Sequence, residues 1–279
     1  MTDTIYSYAP PVSELLAVGD PRQRPGWVDY AALGLAEEHV PELIRMLQDE
    51  DLHWADGESD EVWAPLHAWR ALGTLQAEAA IQPLVGLLPW IDAYDDDWVM
   101  EDLPDVFERI GEAAVPALAI FLADDRHGLW ARVTAASSLG KIGQAHPEAR
   151  DVCIAALSTQ LVHFNTVEKE LNGFIVNALV DLKAVEAAPV MEQAFAADKV
   201  DISILGDWED AQIALGLLDK RLTPPPEYVW LPESKIQEYE QAEAERRAQR
   251  KQQDQAKAKA KAKRKQAQKT RRKQRKKKK

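Results

Sequence analysis

Apolar residues recur along this chain at helical spacing. Val40, Leu43, Ile44 and Leu47 stand at i, i+3, i+4 and i+7, as do Ile81, Leu84, Val85 and Leu88, and Val115, Leu118, Ala119 and Leu122. That period places each set on one face of an α-helix, so three helices with a common stripe are predicted. Each begins beside a proline, at Pro41, Pro83 or Pro116. The first helical turn has no use for the N–H that proline lacks, so proline in these places starts a helix.

Each predicted helix follows another amphipathic segment that ends in a Leu/Ile-Gly turn, at Leu33-Gly34, Leu72-Gly73 and Ile110-Gly111. Glycine permits the left-handed or closely packed backbone that joins two antiparallel helices. The predicted unit is therefore a helical hairpin. A fourth copy spans 131–161, with Leu139-Gly140-Lys141-Ile142-Gly143 at its turn and Pro147 opening its second helix. A fifth spans 167–197, with Leu171, Phe174, Ile175, Ala178 and Leu182 as one stripe and Pro189 opening the second helix. Pro41, Pro83, Pro116 and Pro189 are 42, 33 and 73 residues apart, the last gap being close to two periods. Such periods predict stacked helical pairs, each burying its apolar face against the next.

The expected organisation is an irregular N-terminal cap over 1–26 and an all-α, right-handed α-solenoid of about five hairpins over 27–222. A last helix from Leu205 to Leu222 closes the stack, a Pro-rich linker covers 223–238, and a basic tail covers 239–279. Pro224-Pro225-Pro226 cannot continue a helix.

The segments Ala71-Leu72-Gly73 to Ala79-Ala80-Ile81-Gln82-Pro83-Leu84, and Ile110-Gly111-Glu112-Ala113-Ala114-Val115-Pro116-Ala117-Leu118, resemble HEAT repeats of the phycobilisome-lyase type. The resemblance covers residues 28–218. The stretch from Asp97 to Asp201 is also similar to a bacterial helical domain of unknown function that often ends in a Cys-rich SEC-C motif. This chain has no such Cys-rich module. The lyase-type resemblance implies a chaperone-like role toward a bilin or its acceptor protein. HEAT-like repeats also host an iron-dependent hydroxylase that holds its metals with His-Glu pairs, but none of the six histidines here is followed by Glu. There is likewise no His-x-x-x-His pair, no Cys cluster, no phosphate-binding glycine loop and no Gly-x-Ser-x-Gly elbow. The expectation is a non-catalytic protein without a cofactor or bound metal.

Charge divides the chain in two. Residues 240–279 hold 19 Lys+Arg against 4 Asp+Glu, whereas residues 1–239 hold 15 against 42, which together give the net charge of −12. The tail cations Lys257, Lys259, Lys261, Lys263, Arg264, Lys265, Arg271, Arg272 and Lys273 are spaced closely enough to track a phosphate backbone. No aromatic residue interrupts that run to stack on bases. RNA or the ribosome is thus one candidate partner. The other is a protein partner for the acidic body. There the densest acidic run, Asp92 to Asp102, is interleaved with Trp90, Tyr94 and Trp98. Its carboxylates suit helix N-termini, or a basic peptide whose cations would also meet the tryptophan faces.

The candidate protein-binding residues are Trp54, Trp63, Asp95, Asp96, Asp97, Trp98 and Glu101. Trp54 and Trp63 bracket the polar loop Asp56 to Asp60, whereas Trp69 lies on an apolar stripe and is expected in the core. Asp95-Asp96-Asp97 lacks the alternating ligands and central glycine of an EF-hand loop, so calcium is not expected. The single cysteine, Cys153, lies in an apolar run and cannot form an internal disulfide; with no basic-then-apolar leader at the N-terminus, a cytoplasmic location is expected. No stretch approaches the ~20 apolar residues of a membrane helix.

Overall fold

The structure, a computed structural model, describes residues 7–226. Among them every regular element is helical and none is a strand. The cation run from Lys257 to Lys273, and the linker beyond Pro226, lie outside the described residues.

The α-helices are α1 (Val40–Leu47), α2 (Glu50–His53), α3 (Ala64–Thr74), α4 (Ile81–Val85), α5 (Pro89–Tyr94), α6 (Asp97–Ile110) and α7 (Val115–Ala123), followed by α8 (Leu129–Ala145), α9 (Arg150–Leu161), α10 (Lys169–Asp181), α11 (Ala188–Ala196), α12 (Ile202–Leu205) and α13 (Trp208–Leu215). One local device starts five of them, α3 among them, where the 3-10 turn Asp60–Trp63 runs into Ala64 and Pro65. A single 3-10 turn, at Glu37–His39, Glu78–Ala80, Glu112–Ala114 or Val185–Ala187, runs directly into α1, α4, α7 or α11. Pro41, Pro83, Pro116 and Pro189 fall within the first three residues of those helices, where no N–H is needed. Pro104 departs from this rule. It sits inside α6, where it cannot donate to the Met100 carbonyl one turn back.

Neighbouring helices bury the stripes. α3 packs on α1 and α6, α6 on α8, and α8 on α10; α7 packs on α4 and α9, and α9 on α11. Leu43, Leu72, Leu84, Leu103, Phe107, Leu118, Leu139, Leu157 and Leu179 are fully buried between them. Trp69 is buried as expected, and so is Cys153, whose thiol is pushed up to about 11 by burial.

Three sequence expectations are corrected. Gly73, Gly140 and Gly143 are not turn residues but lie inside α3 and α8. They let helices approach closely: a β-carbon on Gly73 would stand 3.2 Å from the Val106 Cα, and one on Gly140 would stand 3.1 Å from the Ala178 Cβ. The first hairpin lacks its first helix, because the stretch before Gly34 (φ +84°) forms only a turn. The final helix begins only at Trp208, beyond Gly206 (φ +103°), and Gly216 (φ +76°) ends it well short of Leu222.

Candidate functional site

The α5–α6 junction assembles the acidic and aromatic residues. α5 ends where Asp95 takes a left-handed conformation (φ +48°), and Asp96 then caps α6 by accepting the Val99 N–H at 3.1 Å. The turn projects Tyr94 and Trp98 toward α2, which carries His53, with Trp54 directly after it. A hollow of about 300 Å³ results, walled by Trp54, Trp90, Tyr94 and Trp98, with Asp95, Asp96 and Asp97 along its edge and His53 beside Trp90.

The rings stand nearly at right angles. Tyr94 is inclined 79° to Trp54 at 5.2 Å and 79° to Trp90 at 5.6 Å, and the His53 edge meets Trp90 at 4.6 Å. Perpendicular aromatic contacts are favourable because a positive ring edge meets a negative face. Trp54 and Tyr94 remain 41% and 40% exposed, so the hollow opens to solvent. His53 Nε2 lies 2.6 Å from the Leu47 carbonyl, which can only accept, so that nitrogen carries the proton. Burial holds the His53 pKa below its ordinary value and pushes that of Asp96 above the usual carboxylate range.

Two further hollows, of about 410 and 540 Å³, continue from this one. The first shares Trp90 with it, and the second shares Gln48 and Glu50 with the first and adds Asp49 and Asp51. The three hollows share lining residues along α1, α2, α4 and α5 and are taken together as an acidic groove, on whose lining Arg45 is the cation among the described residues.

Of the residues singled out in the sequence, Trp54, Asp95, Asp96, Asp97 and Trp98 meet at the hollow. Glu101 is exposed one turn farther along α6, and Trp63 stands behind Trp98, edge to face at 5.4 Å. The Arg22 guanidinium lies 5.3 Å from the Trp63 ring centre and 6.0 Å from that of Trp98.

Asp92 and Asp102 of the same run tie neighbouring helices together. Asp92 caps α8 from outside it, accepting the Trp130 and Ala131 N–H groups at 3.1 and 2.9 Å, and Gly128 leaves room for that carboxylate. Asp102 is buried against Arg70 in a two-pronged ion pair (2.5 and 2.7 Å) and accepts the Trp69 indole N–H at 2.8 Å. His53 and the Asp49–Asp51 run were missed in the sequence. The latter carries three adjacent acids, but only the packing of α2 against the α5 side shows that it borders the same groove.

A buried polar network lies behind the groove. Tyr30 donates to His67 Nδ1 at 2.9 Å, and His67 Nε2 donates to the Gly19 carbonyl at 2.8 Å. The assignment follows from the carbonyl, which needs a proton on Nε2 and so leaves Nδ1 as an acceptor. Trp27 lies beneath the guanidinium groups of Arg70 (5.3 Å) and Arg109 (4.4 Å). These contacts fasten the N-terminal segment to α3 and α6.

Among the described residues, no group of three or more His, Cys, Asp or Glu is placed to hold a metal ion, and no helix is long and apolar enough to cross a membrane. No family model, curated protein or solved structure matches the chain.

Proposed function

We propose that this chain is a non-catalytic interaction scaffold, an α-solenoid of about five HEAT-like hairpins whose acidic groove receives a cationic segment of a protein partner. The solenoid reading is supported by two series of helix contacts, α3–α6–α8–α10 and α4–α7–α9–α11, and by the 3-10 turn and proline that recur at the starts of α4, α7 and α11. The binding reading rests on one observation above the others: three hollows that share lining residues carry Asp49, Glu50, Asp51, Asp95, Asp96 and Asp97 between them, with Trp54 and Tyr94 partly exposed at one of them. Carboxylates in such a row raise the local concentration of cations and favour an extended Lys/Arg segment.

The test is titration of the full chain with a ten-residue Lys/Arg peptide, followed by calorimetry. Binding should weaken steeply with salt and fall at least tenfold in a Glu50→Lys, Asp97→Lys, Glu101→Lys triple variant. Equal binding by the variant would overturn the groove as the site.

A second reading is favoured by composition. The 19 cations of residues 240–279 suit an RNA or ribosomal phosphate backbone. Retention on RNA that is lost on deleting 240–279, with a steep salt dependence, would support it. Retention that survives the deletion would exclude the tail as the anchor.

A further inference from the structure

The hollow of about 410 Å³ shares Gln48 and Glu50 with its larger neighbour and Trp90 with its smaller one, and its chemistry differs from both. We propose that it takes one apolar side chain of the partner segment, such as leucine, held between two cationic stretches that meet the acids of the neighbouring hollows. This inference rests on the groove reading and names the kind of sequence that the groove selects.

Three acids line each neighbour, Asp49, Glu50 and Asp51 in the larger and Asp95, Asp96 and Asp97 in the smaller. In the middle hollow Glu50 is the one charged group of the lining, and Leu47, Pro83, Leu87 and Trp90 make its surface mainly carbon. A cation entering here would give up water with one carboxylate to replace it, which is unfavourable. An apolar side chain leaves water for a carbon-lined surface, which is favourable in proportion to the area covered. The order acid, apolar, acid along the groove is therefore complementary to cation, apolar, cation in the partner.

Local structure shapes the hollow. α4 gives way after Val85 to tight turns, and Pro89 then opens α5. The Gly86 and Leu87 N–H groups are engaged by the Gln82 and Leu84 carbonyls, each at 3.0 Å, so this wall offers an entering side chain carbon rather than donors. Gly86 itself is right-handed (φ −63°, ψ −15°), a conformation that most residues adopt without strain. Its backbone angles therefore do not call for glycine. At this position on the lining, a long side chain would take up space in the hollow.

The test is calorimetric titration of the full chain with one Lys/Arg peptide made with leucine, serine or lysine at its centre. The leucine peptide should bind about tenfold more tightly than the serine peptide, with a more negative heat-capacity change. It should also bind more tightly than the lysine peptide, which carries one more charge. Salt should weaken the leucine and serine peptides alike and leave their ratio unchanged, because screening acts on charges and not on apolar burial. Gly86→Leu should remove the leucine preference and leave the serine peptide's affinity as it was. Because a β-carbon at Gly86 would stand 3.2 Å from the Pro83 carbonyl oxygen, Gln82→Trp at an exposed position of α4 serves as a second blocking variant with the same expected result. Equal affinity for the leucine and serine peptides, or a leucine preference that survives both variants, would overturn the apolar site even where binding still depends on Glu50 and Asp97. Failure of all three peptides to bind the unaltered chain would overturn the groove reading itself.

Discussion

Asp102 shows how one side chain can belong to an acidic run in sequence and to the interior in space. It lies in the same stretch as Asp95 and Asp97, yet packing turns it inward onto Arg70 and Trp69. Asp102→Ala would leave a buried guanidinium without its counter-charge, and removing one partner of such a pair costs about 3–5 kcal/mol. Urea denaturation of the variant should show a loss of that order, far larger than for Glu101→Ala on the exposed face of the same helix. His67 adds a pH dependence. Burial lowers its folded pKa, so the unfolded chain binds the proton more readily, and stability is lost as pH falls from the ordinary histidine value of about 6.5 toward the folded value. His53 acts in the same direction. The midpoint of thermal unfolding should therefore decline between pH 7 and pH 5, and His67→Gln should flatten that decline. None of this was legible in the sequence, because burial of a histidine depends on which segment crosses it. Here that segment is the remote one carrying Gly19 and Tyr30.

At the scale of the element, helix starts were readable and helix ends only partly so. The prolines marked α1, α4, α7 and α11 because their effect is local. The ends follow a repeated geometry instead: after α3, the Gln76 N–H bonds to Gly73 and the Ala77 N–H to Leu72, and after α10, Lys183 and Ala184 bond likewise to Val180 and Leu179. Both turns hold a non-glycine residue in the left-handed region, with Gln76 at φ +52° and Lys183 at φ +54°. Glycine occupies that region without the penalty that a β-carbon brings there. Gln76→Gly should therefore stabilise the fold by roughly 0.5–1 kcal/mol, visible as a raised denaturation midpoint. Gly73, one turn earlier, drew attention as a turn signal in the sequence. Its small size in fact serves the contact with Val106 on α6, which no local pattern encodes.

For the molecule as a whole, protection should be graded if stacked hairpins each rely on their neighbours. Amide exchange is expected to be slowest in α6 and α8, which have packed helices on both sides. It should be fastest in α2, α12 and α13, and uniform protection would contradict the stacked reading. The sequence by itself determined the all-helical class, the places where several helices begin and the acidic and aromatic content of the α5–α6 junction. Those properties follow from side-chain period, from proline's missing donor and from composition, all of which act within a few residues. Only the tertiary structure decided which acids face water, which cap a helix or pair inside, and that Trp54 and His53 stand against Trp90, Tyr94 and Trp98. The physical reason is that burial and ring-to-ring contact depend on close approach between segments some forty residues apart, and the helical period at either segment is the same whether or not they meet.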